Sequence, residues 1–319
     1  MIHILLDNNN NHFPVFAGTE RHVSPHCRNK YASWIKGAFS VIRKSSTSDT
    51  IVCWLDIQAV LCYWICALTL RRRRIVAINI LLKDKSTIFN RIAKSLYRRA
   101  LKSENFQATV TSSEYGRTLN SALGINKHYT LLRDLFPDEY LHWEKHHDGQ
   151  GVFCGGNNSR DWEFIIEIAR RMPMVTFRLV MPEQLFKAKH KDLPENVIAG
   201  HSLSEHEFIQ EMSKCAVVCL PLTTDAPAGL IVLYQAAALG KMVIASDTAT
   251  IREYISDESG IILKNDIESW IDSINKSLSN PDAIKQKAEA MFDFLKINCS
   301  QKIYADTVRS MIPQLQANP

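Results

Sequence analysis

Short apolar runs alternate with amphipathic helical patterns along almost the whole chain. The predicted strands occupy residues 2–6, 51–55, 76–81, 108–111, 129–132, 152–154, 176–181, 197–200, 217–220 and 243–246. The predicted helices occupy residues 29–43, 59–70, 87–102, 114–123, 161–171, 204–214, 230–239 and 250–254. Strands that are connected through helices form a parallel sheet with helices on both faces. The pattern therefore predicts an α/β fold.

The pattern restarts near residue 150, which indicates two domains. A chain of 319 residues is too long for one ordinary core. We expect two tandem Rossmann-like parallel-sheet domains, at 1–140 and 151–300, that face a cleft and are joined by a solvated linker at 141–150. Residues 301–319 are expected to form a C-terminal helix that packs back on the first domain. Open sheets bind ligands beyond the carboxyl ends of their strands, so the cleft is the predicted site.

Composition and cysteine usage indicate a globular protein of a reducing compartment. Hydrophobic residues make up 46% of the chain and charged residues 22%, unlike disordered or fibrous proteins. The eight cysteines mostly lie within apolar runs, which favours buried thiols over a metal site. The amino terminus lacks the basic start and the cleavage site of a secretory signal. We therefore expect a cytoplasmic protein.

The segment from Ile51 to Leu70 has the length of a membrane-spanning helix. It contains a single charged residue, Asp56, and four arginines follow it. The same residues also divide into a strand, a turn at Asp56 and a buried helix, and the next strand follows directly. We therefore predict a β-α-β unit here.

Several motifs are missing, and their absence narrows the chemistry. The sequence has no G-x-G-x-x-G after a strand, no G-x-x-x-x-G-K-[ST], no H-E-x-x-H and no G-x-S-x-G. It also has no D-x-D, the pattern that would hold a divalent ion beside a diphosphate. We therefore predict no metal site and no cofactor. A phosphate leaving group would then be stabilised by backbone amides at a helix start and by a cationic side chain.

The first candidate element of such a site follows the strand at 152–154. The strand ends at Gly155 and Gly156, where the backbone can approach a ligand closely. A loop that includes Asn157 leads to Arg160, and Asp161 is suited to cap the next helix. Arg160 is expected at the carboxyl edge of the sheet. The alternative interpretation is a glycine turn with a solvated arginine.

The second candidate element is the loop and helix after the strand at 217–220. The helix begins near Gly229, so its first amides have no partner within the helix and can bind a diphosphate. Gln235 lies between one and two turns further on and can reach a ribose hydroxyl. A plain core helix with one polar residue is the alternative. The candidate residues of this element are Thr224, Asp225, Ala228, Gly229, Leu230 and Gln235.

These residues carry a resemblance to a known family. The run from Gly229 to Asp247, which ends in Leu-Gly-Lys-Met-Val-Ile-Ala-Ser-Asp, resembles the donor-site helix and strand of the group 1, retaining-type GT-B glycosyltransferases. The loop from Gly155 to Trp162 is similar to their phosphate-side glycine loop. The resemblance implies a first domain on the acceptor side, a nucleotide-sugar-binding second domain, and Arg160 as the basic residue beside the diphosphate.

The resemblance also implies residues that this chain lacks. The family commonly has two glutamates with seven residues between them, for the donor sugar and the ribose. This sequence has Pro227 and Gln235 at those positions. Three explanations stay open: Asp225 or Thr224 compensates, the donor is unusual, or catalysis has been lost.

Acceptor-side residues follow from the same resemblance. The segment Gly18-Thr19-Glu20-Arg21-His22 is similar to the glycine-containing acceptor-side loop of the family, and Ser113 falls where a strand ends at the cleft. Glu20 and His22 are therefore candidates for the base that activates the acceptor, beside Arg160 as the catalytic cation. A surface ion pair is the more ordinary role for Glu20 and His22.

A strongly basic stretch runs from Arg71 to Lys102. It contains eleven basic residues and one acidic residue, Asp84. Apolar residues at helical spacing lie beside the charges, so the stretch can rest on anionic lipid as a peripheral membrane surface. A solvated helix face over an ordinary core stripe is the alternative. Nucleic acid is not expected, because no aromatic platform accompanies the charge.

The prediction is a metal-independent hexosyltransferase that moves sugar from a nucleotide-diphosphate sugar. The acceptor is expected to be a saccharide or a lipid-linked saccharide in surface polysaccharide assembly, at the inner membrane. A GT-B-like binding or partner protein that has lost catalysis is the main alternative. A GT-B epimerase that acts on a nucleotide sugar is a third interpretation.

Overall fold

The computed structural model describes residues 1–7, 16, 18–82 and 88–312. Packing divides the chain into two compact units. The first unit comprises residues 1–135 and the segment that starts at Gln301, and the second unit comprises residues 136–300.

Strands and helices alternate in both units. The strands are β1 (Ile2–Leu6), β2 (Thr19–Val23), β3 (Thr50–Cys53), β4 (Arg74–Ala77), β5 (Phe106–Val110), β6 (Thr130–Leu131), β7 (Val152–Gly155), β8 (Phe177–Val180), β9 (Val197–Gly200), β10 (Val217–Leu220), β11 (Met242–Ser246) and β12 (Ile261–Leu263). The helices are α1 (Lys30–Lys44), α2 (Asp56–Leu68), α3 (Ile88–Leu101), α4 (Ser113–Leu123), α5 (Trp162–Arg171), α6 (Glu183–Lys189), α7 (Glu205–Ser213), α8 (Leu230–Ala238), α9 (Ile267–Leu278), α10 (Pro281–Asn298) and α11 (Gln301–Met311).

Each unit contains one six-stranded sheet. The order is β2-β1-β3-β4-β5-β6 in the first unit and β12-β11-β10-β7-β8-β9 in the second. The pairs within the sheets are parallel. This confirms the predicted α/β fold with two tandem parallel sheets.

Side-chain caps fix where several helices begin. Asn29 accepts a hydrogen bond from the amide of Tyr31 at the start of α1. Asn280 accepts one from Ala283 at the start of α10, where Pro281 occupies the first turn. Each cap satisfies an amide that has no partner within its helix, and such caps are worth about 1 kcal/mol.

The sheet of the second unit is buried on both faces. One hydrophobic cluster joins α8 to Phe153, Val218 and Val243. A second cluster joins α5 and α9 to Val152 and Val217, whose side chains point to the opposite face. Burial on both faces explains why the neighbouring central strands β7 and β10 contain no charged residue.

The core of the first unit includes part of the C-terminal segment. Tyr304 and Val308 of α11 pack in one cluster with Ile4 of β1, Val52 of β3 and Val76 of β4. Helix α11 therefore covers the middle of the first sheet, although it follows the second unit in the chain.

The boundary between the units differs from the predicted linker at 141–150. The second unit begins at Phe136, because Phe136 and Tyr140 belong to its hydrophobic cluster. The ammonium of Lys241 donates hydrogen bonds to the carbonyls of His146 and Ser213, which ties residues of the expected linker to the same unit. Residues 136–150 are thus part of the second unit.

The segment from Gly18 to His22 is not the loop that the sequence predicted. Thr19 to Val23 form β2, an edge strand that pairs with β1 in parallel register. The strand was missed because Thr19, Glu20, Arg21 and His22 carry no apolar alternation. Its hydrogen bonds to β1 supply the stability that its side-chain pattern does not indicate.

The segment from Ile51 to Leu70 forms β3 and α2, as predicted. Helix α2 has 13 residues. Within the described part of the chain, no helix combines the length and the apolar character that a membrane crossing requires. The eight cysteines are free, and all of them except Cys27 are buried.

Candidate functional site

Two loops of the second unit meet beyond the carboxyl ends of neighbouring strands. One loop connects β7 to α5, and the other connects β10 to α8. The amide of Thr223 donates to the carbonyl of Ser159 at 3.1 Å, and the amide of Asp161 donates to the carbonyl of Pro221 at 2.9 Å. Strands β7 and β10 are adjacent in the sheet. The structure thus brings the two predicted diphosphate-binding elements together.

The loop after β7 is shaped by glycine and capped by aspartate. Gly156 has φ of +117°, a conformation that residues with a Cβ rarely adopt. Asp161 precedes α5 and accepts a hydrogen bond from the amide of Phe164 at 3.1 Å, as predicted. Asn157 lies exposed in the same loop.

Arg160 is buried, and this excludes the solvated arginine that the sequence left open. Its side chain is largely enclosed, and the residue is 8% exposed. Its Nε donates to the carbonyl of Gly155 at 3.0 Å, and its Nη1 donates to the carbonyl of Asn158 at 3.2 Å. Burial lowers the pKa of the Arg160 guanidinium, although an arginine stays charged.

The guanidinium of Arg160 lies against the start of α8. A Cβ atom on Gly229 would lie 3.3 Å from Nη1 and 3.4 Å from Nη2 of Arg160. A Cβ atom on Gly156 would lie 3.1 Å from Nη2. The two glycines therefore leave the space that the guanidinium occupies. Gly229 has φ of +82° and no side chain to cap the first amides of α8.

A cation in this position needs an anionic partner. Among the described residues, no carboxylate forms a salt bridge with Arg160, whose hydrogen bonds go to backbone carbonyls. A buried charge without a counter-ion is costly. The positive end of the α8 dipole adds to the charge of the guanidinium. The arrangement can bind an anion such as a phosphate group.

The loop before α8 is held by its own polar groups. Asp225 Oδ1 accepts a hydrogen bond from the amide of Ala249 at 3.0 Å, and its carbonyl accepts one from Thr250 Oγ1 at 2.9 Å. Thr224 Oγ1 accepts one from the amide of Ala226 at 3.2 Å. Asp225 and Thr224 thus position the loop, and a role of either side chain in place of the absent glutamate stays a prediction.

The side chain of Gln235 is buried and does not reach the solvent at the start of α8. It is 4% exposed, and its Nε2 donates to Glu205 Oε1 at 3.4 Å. Tyr140 also shares a hydrogen bond with Gln235. The predicted reach to a ribose hydroxyl would require Gln235 to exchange these partners. Ala228 and Leu230 are buried in the core, so α8 offers its backbone rather than these side chains.

The predicted acceptor-side residues of the first unit lie at two different edges of the sheet. Ser113 is the first residue of α4 and follows β5 at the carboxyl edge. Thr19 begins β2 at the amino edge, after Gly18 at φ of +73°, and its Oγ1 donates to the carbonyl of Phe16.

Glu20 and His22 contact His3 rather than the carboxyl edge. His22 Nε2 lies 3.0 Å from His3 Nδ1, and a carboxylate oxygen of Glu20 lies 3.5 Å from the same atom. His3 is the second residue of β1, on the amino-terminal side of the sheet. These contacts give Glu20 and His22 partners within the sheet, and their role as the acceptor-activating base stays a prediction.

One carboxylate at the carboxyl edge of the first sheet was missed in the sequence. Asp134 follows β6, and its Oδ1 accepts a hydrogen bond from Asn79 Nδ2 at 2.9 Å. Thr109 Oγ1 donates to Asn79 Oδ1 at 2.8 Å. Burial raises the pKa of the Asp134 carboxyl to about 6, although the hydrogen bond from Asn79 lowers it. The available signal was an acidic residue two positions after the end of a predicted strand.

Comparison with known proteins identifies a family that part of the second unit matches. Residues 182–291 match the family model of the glycosyl transferases group 1. The matched range includes Gly229 and Gln235 but not Arg160. No curated protein sequence matches the chain.

The fold is shared with several solved glycosyltransferase structures. Sucrose-phosphate synthase from Thermosynechococcus elongatus is 12% identical, with a TM-score of 0.73 over 99% of this chain and 89% of that one. HepE from Anabaena in complex with UDP is 14% identical, with a TM-score of 0.68 over 99% of this chain and all of that one. TarM is 12% identical, with a TM-score of 0.68 over 89% of this chain. The chain spans 58% of the length of TarM.

The chain has the GT-B fold. Residues 182–291, the part of the second unit that contains α8, match the group 1 glycosyltransferase family that the sequence resembles.

Proposed function

We propose that the protein is a hexosyltransferase that takes its sugar from a nucleotide-diphosphate sugar. The observation that carries the proposal is the buried guanidinium of Arg160 against Gly229, at the uncapped start of α8. HepE from Anabaena was solved with UDP and with UDP-glucose, which supports a ligand of the same class for this chain.

The proposed role of this arrangement is to stabilise the leaving diphosphate. Breaking the bond between sugar and phosphate leaves negative charge on a phosphate oxygen. The first amides of α8 and the guanidinium of Arg160 are fixed before the reaction, so they need little reorganisation when the charge develops. The loop carbonyls that hold Nε and Nη1 of Arg160 keep its orientation. Removing one such donor typically lowers kcat by about 100- to 1,000-fold.

We further propose that the diphosphate is bound without a divalent metal ion. The support is the absence of D-x-D from the sequence, together with the cationic site that Arg160 and α8 supply. Turnover should be the same in a metal-depleted assay before and after Mg²⁺ or Mn²⁺ is added. An increase of about tenfold or more on metal addition would contradict this part of the proposal.

The test of the proposed function is release of nucleoside diphosphate from a panel of nucleotide sugars. Saccharide and lipid-linked saccharide acceptors are supplied, since the proposed pathway is surface polysaccharide assembly. Acceptor-dependent release would support a transferase. Interconversion of the donor sugar without an acceptor would indicate an epimerase instead. Failure to bind any nucleotide diphosphate or nucleotide sugar would contradict the proposal.

A binding protein without turnover is the second candidate, and two observations favour it. Pro227 has no side-chain hydrogen-bonding group where the family has a glutamate. Gln235 is already hydrogen-bonded to Glu205 within the second unit. Tight binding of a nucleotide sugar, with neither transfer nor hydrolysis, would identify this function.

The first unit has features that support attachment to an anionic membrane surface. Ile88, Ile92 and Leu96 of α3 are 62%, 55% and 39% exposed, and their spacing of four residues puts them on one helix face. Arg91 and Arg98 of the same helix are exposed. An amphipathic helix of this kind can bury its apolar face at the boundary of head groups and acyl chains.

Not every basic residue of the predicted stretch contributes to this surface. Arg73 is buried, and its Nη2 donates to the carbonyl of Ser45 at 2.8 Å. Lys83, Asp84 and Lys85 lie outside the described residues. The proposed surface therefore consists of the exposed side of α3 and the exposed arginines near β4.

Vesicle sedimentation tests the proposed peripheral location at the inner membrane. We expect the protein to sediment with vesicles that contain phosphatidylglycerol and not with neutral vesicles. The double variant Ile92→Ser/Leu96→Ser should lose most of the binding. Met174→Ser is the matched control, because Met174 is 95% exposed and belongs to the second unit. Equal behaviour of both vesicle types would contradict the proposal.

A further inference from the structure

Three potential metal ligands meet between β1 and β2. The parallel register places His3 beside Glu20 and Leu5 beside His22. Residues two apart in a strand point to the same face, so His3, Glu20 and His22 share one side of the sheet. His3 and His22 are buried, at 1% and 6% exposure, whereas the side chain of Glu20 is 43% exposed. The cluster is therefore anchored in the core and open on one side.

The distances among the ligand atoms fit a tetrahedral ion. His3 Nδ1 and His22 Nε2 are 3.0 Å apart. Glu20 Oε2 lies 3.5 Å from His3 Nδ1, and Glu20 Oε1 lies 3.6 Å from His22 Nε2. Two ligands of a tetrahedral Zn²⁺ ion, each at about 2.0–2.1 Å from the metal, are about 3.3–3.4 Å apart. The distance between the two histidine nitrogens is slightly shorter than this value, and the two distances to Glu20 are slightly longer.

A second carboxylate orients the His3 ring. His3 Nε2 lies 3.1 Å from Asp49 Oδ2. Asp49 also accepts a hydrogen bond from the amide of Ser46 at 2.6 Å. A proton on Nε2 that is donated to Asp49 leaves the lone pair of Nδ1 directed at Glu20 and His22. Histidines that bind zinc commonly have such a carboxylate on the other ring nitrogen.

We propose that His3, Glu20 and His22 bind one Zn²⁺ ion. Two imidazole nitrogens and one carboxylate oxygen are a ligand set that Zn²⁺ accepts, and a water molecule would complete the tetrahedron through the exposed side of Glu20. Among the described residues, this is the cluster of histidine and acidic side chains that is tight enough to share an ion. The ion would join edge strand β2 to β1.

The competing explanation is a hydrogen bond between two neutral histidines. In that case His22 Nε2–H donates to His3 Nδ1, and Glu20 interacts with Lys44 Nζ, which lies 3.8 Å from its Oε1. This explanation needs no ion. It predicts no uptake of metal and no stabilisation by metal, so the two explanations differ in measurable ways.

Metal titration of the full chain separates the two explanations. For this experiment the protein is produced without a histidine tag. It is first treated with a chelating resin to remove any bound metal. Co²⁺ then reports four-coordination through its visible absorption bands, and competition with Zn²⁺ gives the affinity. We expect one ion per chain and a higher Tm with Zn²⁺ than without it.

Substitutions assign the ion to the cluster. Glu20→Gln should weaken binding by about tenfold or more, and His22→Ala should abolish it. His128→Ala is the matched control, because His128 is exposed in the first unit and lies outside the cluster. Since His22 is buried, Glu20→Gln keeps the test valid if His22→Ala does not fold. The proposal is overturned if the wild type takes up no ion, or if Glu20→Gln and a folded His22→Ala both bind it with unchanged affinity.

Discussion

The guanidinium of Arg160 packs against Gly229, where a Cβ atom would come within 3.3 Å of Nη1. The two residues are far apart in the chain and meet because β7 and β10 are neighbours in the sheet. Arg160 supplies a fixed positive charge. Gly229 precedes a helix whose first amides have no hydrogen-bond partner within the helix. This relationship forms the proposed anion site of the second unit.

Gly229→Ala should disturb both the backbone and the guanidinium. A residue with a Cβ costs about 1–2 kcal/mol in the left-handed conformation that Gly229 adopts, and the new methyl group would press on Arg160. We expect a lower Tm and weaker nucleotide binding, measured by thermal denaturation with and without UDP. Gly200→Ala is the control, since its Cβ would meet Leu203 at an ordinary 3.7 Å. Wild-type stability and affinity for Gly229→Ala would argue against the described geometry.

Restoring the family's glutamate at position 235 should destabilise this protein. Gln235 donates to Glu205 Oε1, and Gln235→Glu would replace the donor with a second carboxylate in a buried place. We expect a lower Tm for Gln235→Glu and recovery of most of the loss in the double variant Gln235→Glu/Glu205→Gln. A single variant with unchanged Tm would mean that Gln235 and Glu205 are not in contact.

Asp134→Asn should stabilise the first unit in a pH-dependent way. The folded state raises the pKa of Asp134 from 3.8 to about 6, so it holds a proton that the unfolded chain releases. The unfolding free energy therefore falls as the pH rises from about 4 to 6, by at most about 3 kcal/mol. The asparagine side chain of the variant cannot ionise, and its oxygen can still accept a hydrogen bond from Asn79.

The measurement for Asp134 is the difference in Tm between Asp134→Asn and the wild type at several pH values. The difference should increase in favour of the variant mainly between about pH 4 and pH 6, and it should level off above about pH 7. A difference that does not change with pH would show that the pKa of Asp134 is not raised by folding.

The spacing of apolar residues was enough to predict most of the strands and helices. Strands β9 and β10 agree with the prediction at both ends, since each is a compact apolar run bounded by turns. Strand β2 was missed because its pairing with β1 depends on backbone hydrogen bonds. The pattern of apolar and polar side chains does not indicate such bonds. Helix α6 was missed because it is short and has no fully buried residue.

The sequence was enough to propose the individual elements of the candidate site, but not the contacts between them. The sequence indicates the two loops that contain the glycines, Arg160 and the start of α8, because each loop follows a predicted strand. The burial of Arg160 depends on two loops that pair at Ser159 and Thr223, and the partner of Gln235 lies 30 residues away. Such long-range contacts are not encoded in local periodicity. The same holds for Glu20 and His22, whose partner His3 belongs to another strand.

Binding of UDP, ADP and GDP to Arg160 variants, measured by calorimetry, tests the central claim most directly. Hydrogen bonds to a charged group contribute about 1.5–3 kcal/mol, so Arg160→Ala should weaken binding by about 10- to 100-fold. Arg160→Lys keeps a charge but cannot form the fork-like contact, and it should recover only part of the loss. Arg170→Ala, which removes an exposed arginine of α5 paired with Glu167, should bind as the wild type does. If Arg160→Ala bound the same nucleotide with wild-type affinity, the proposed site would be contradicted.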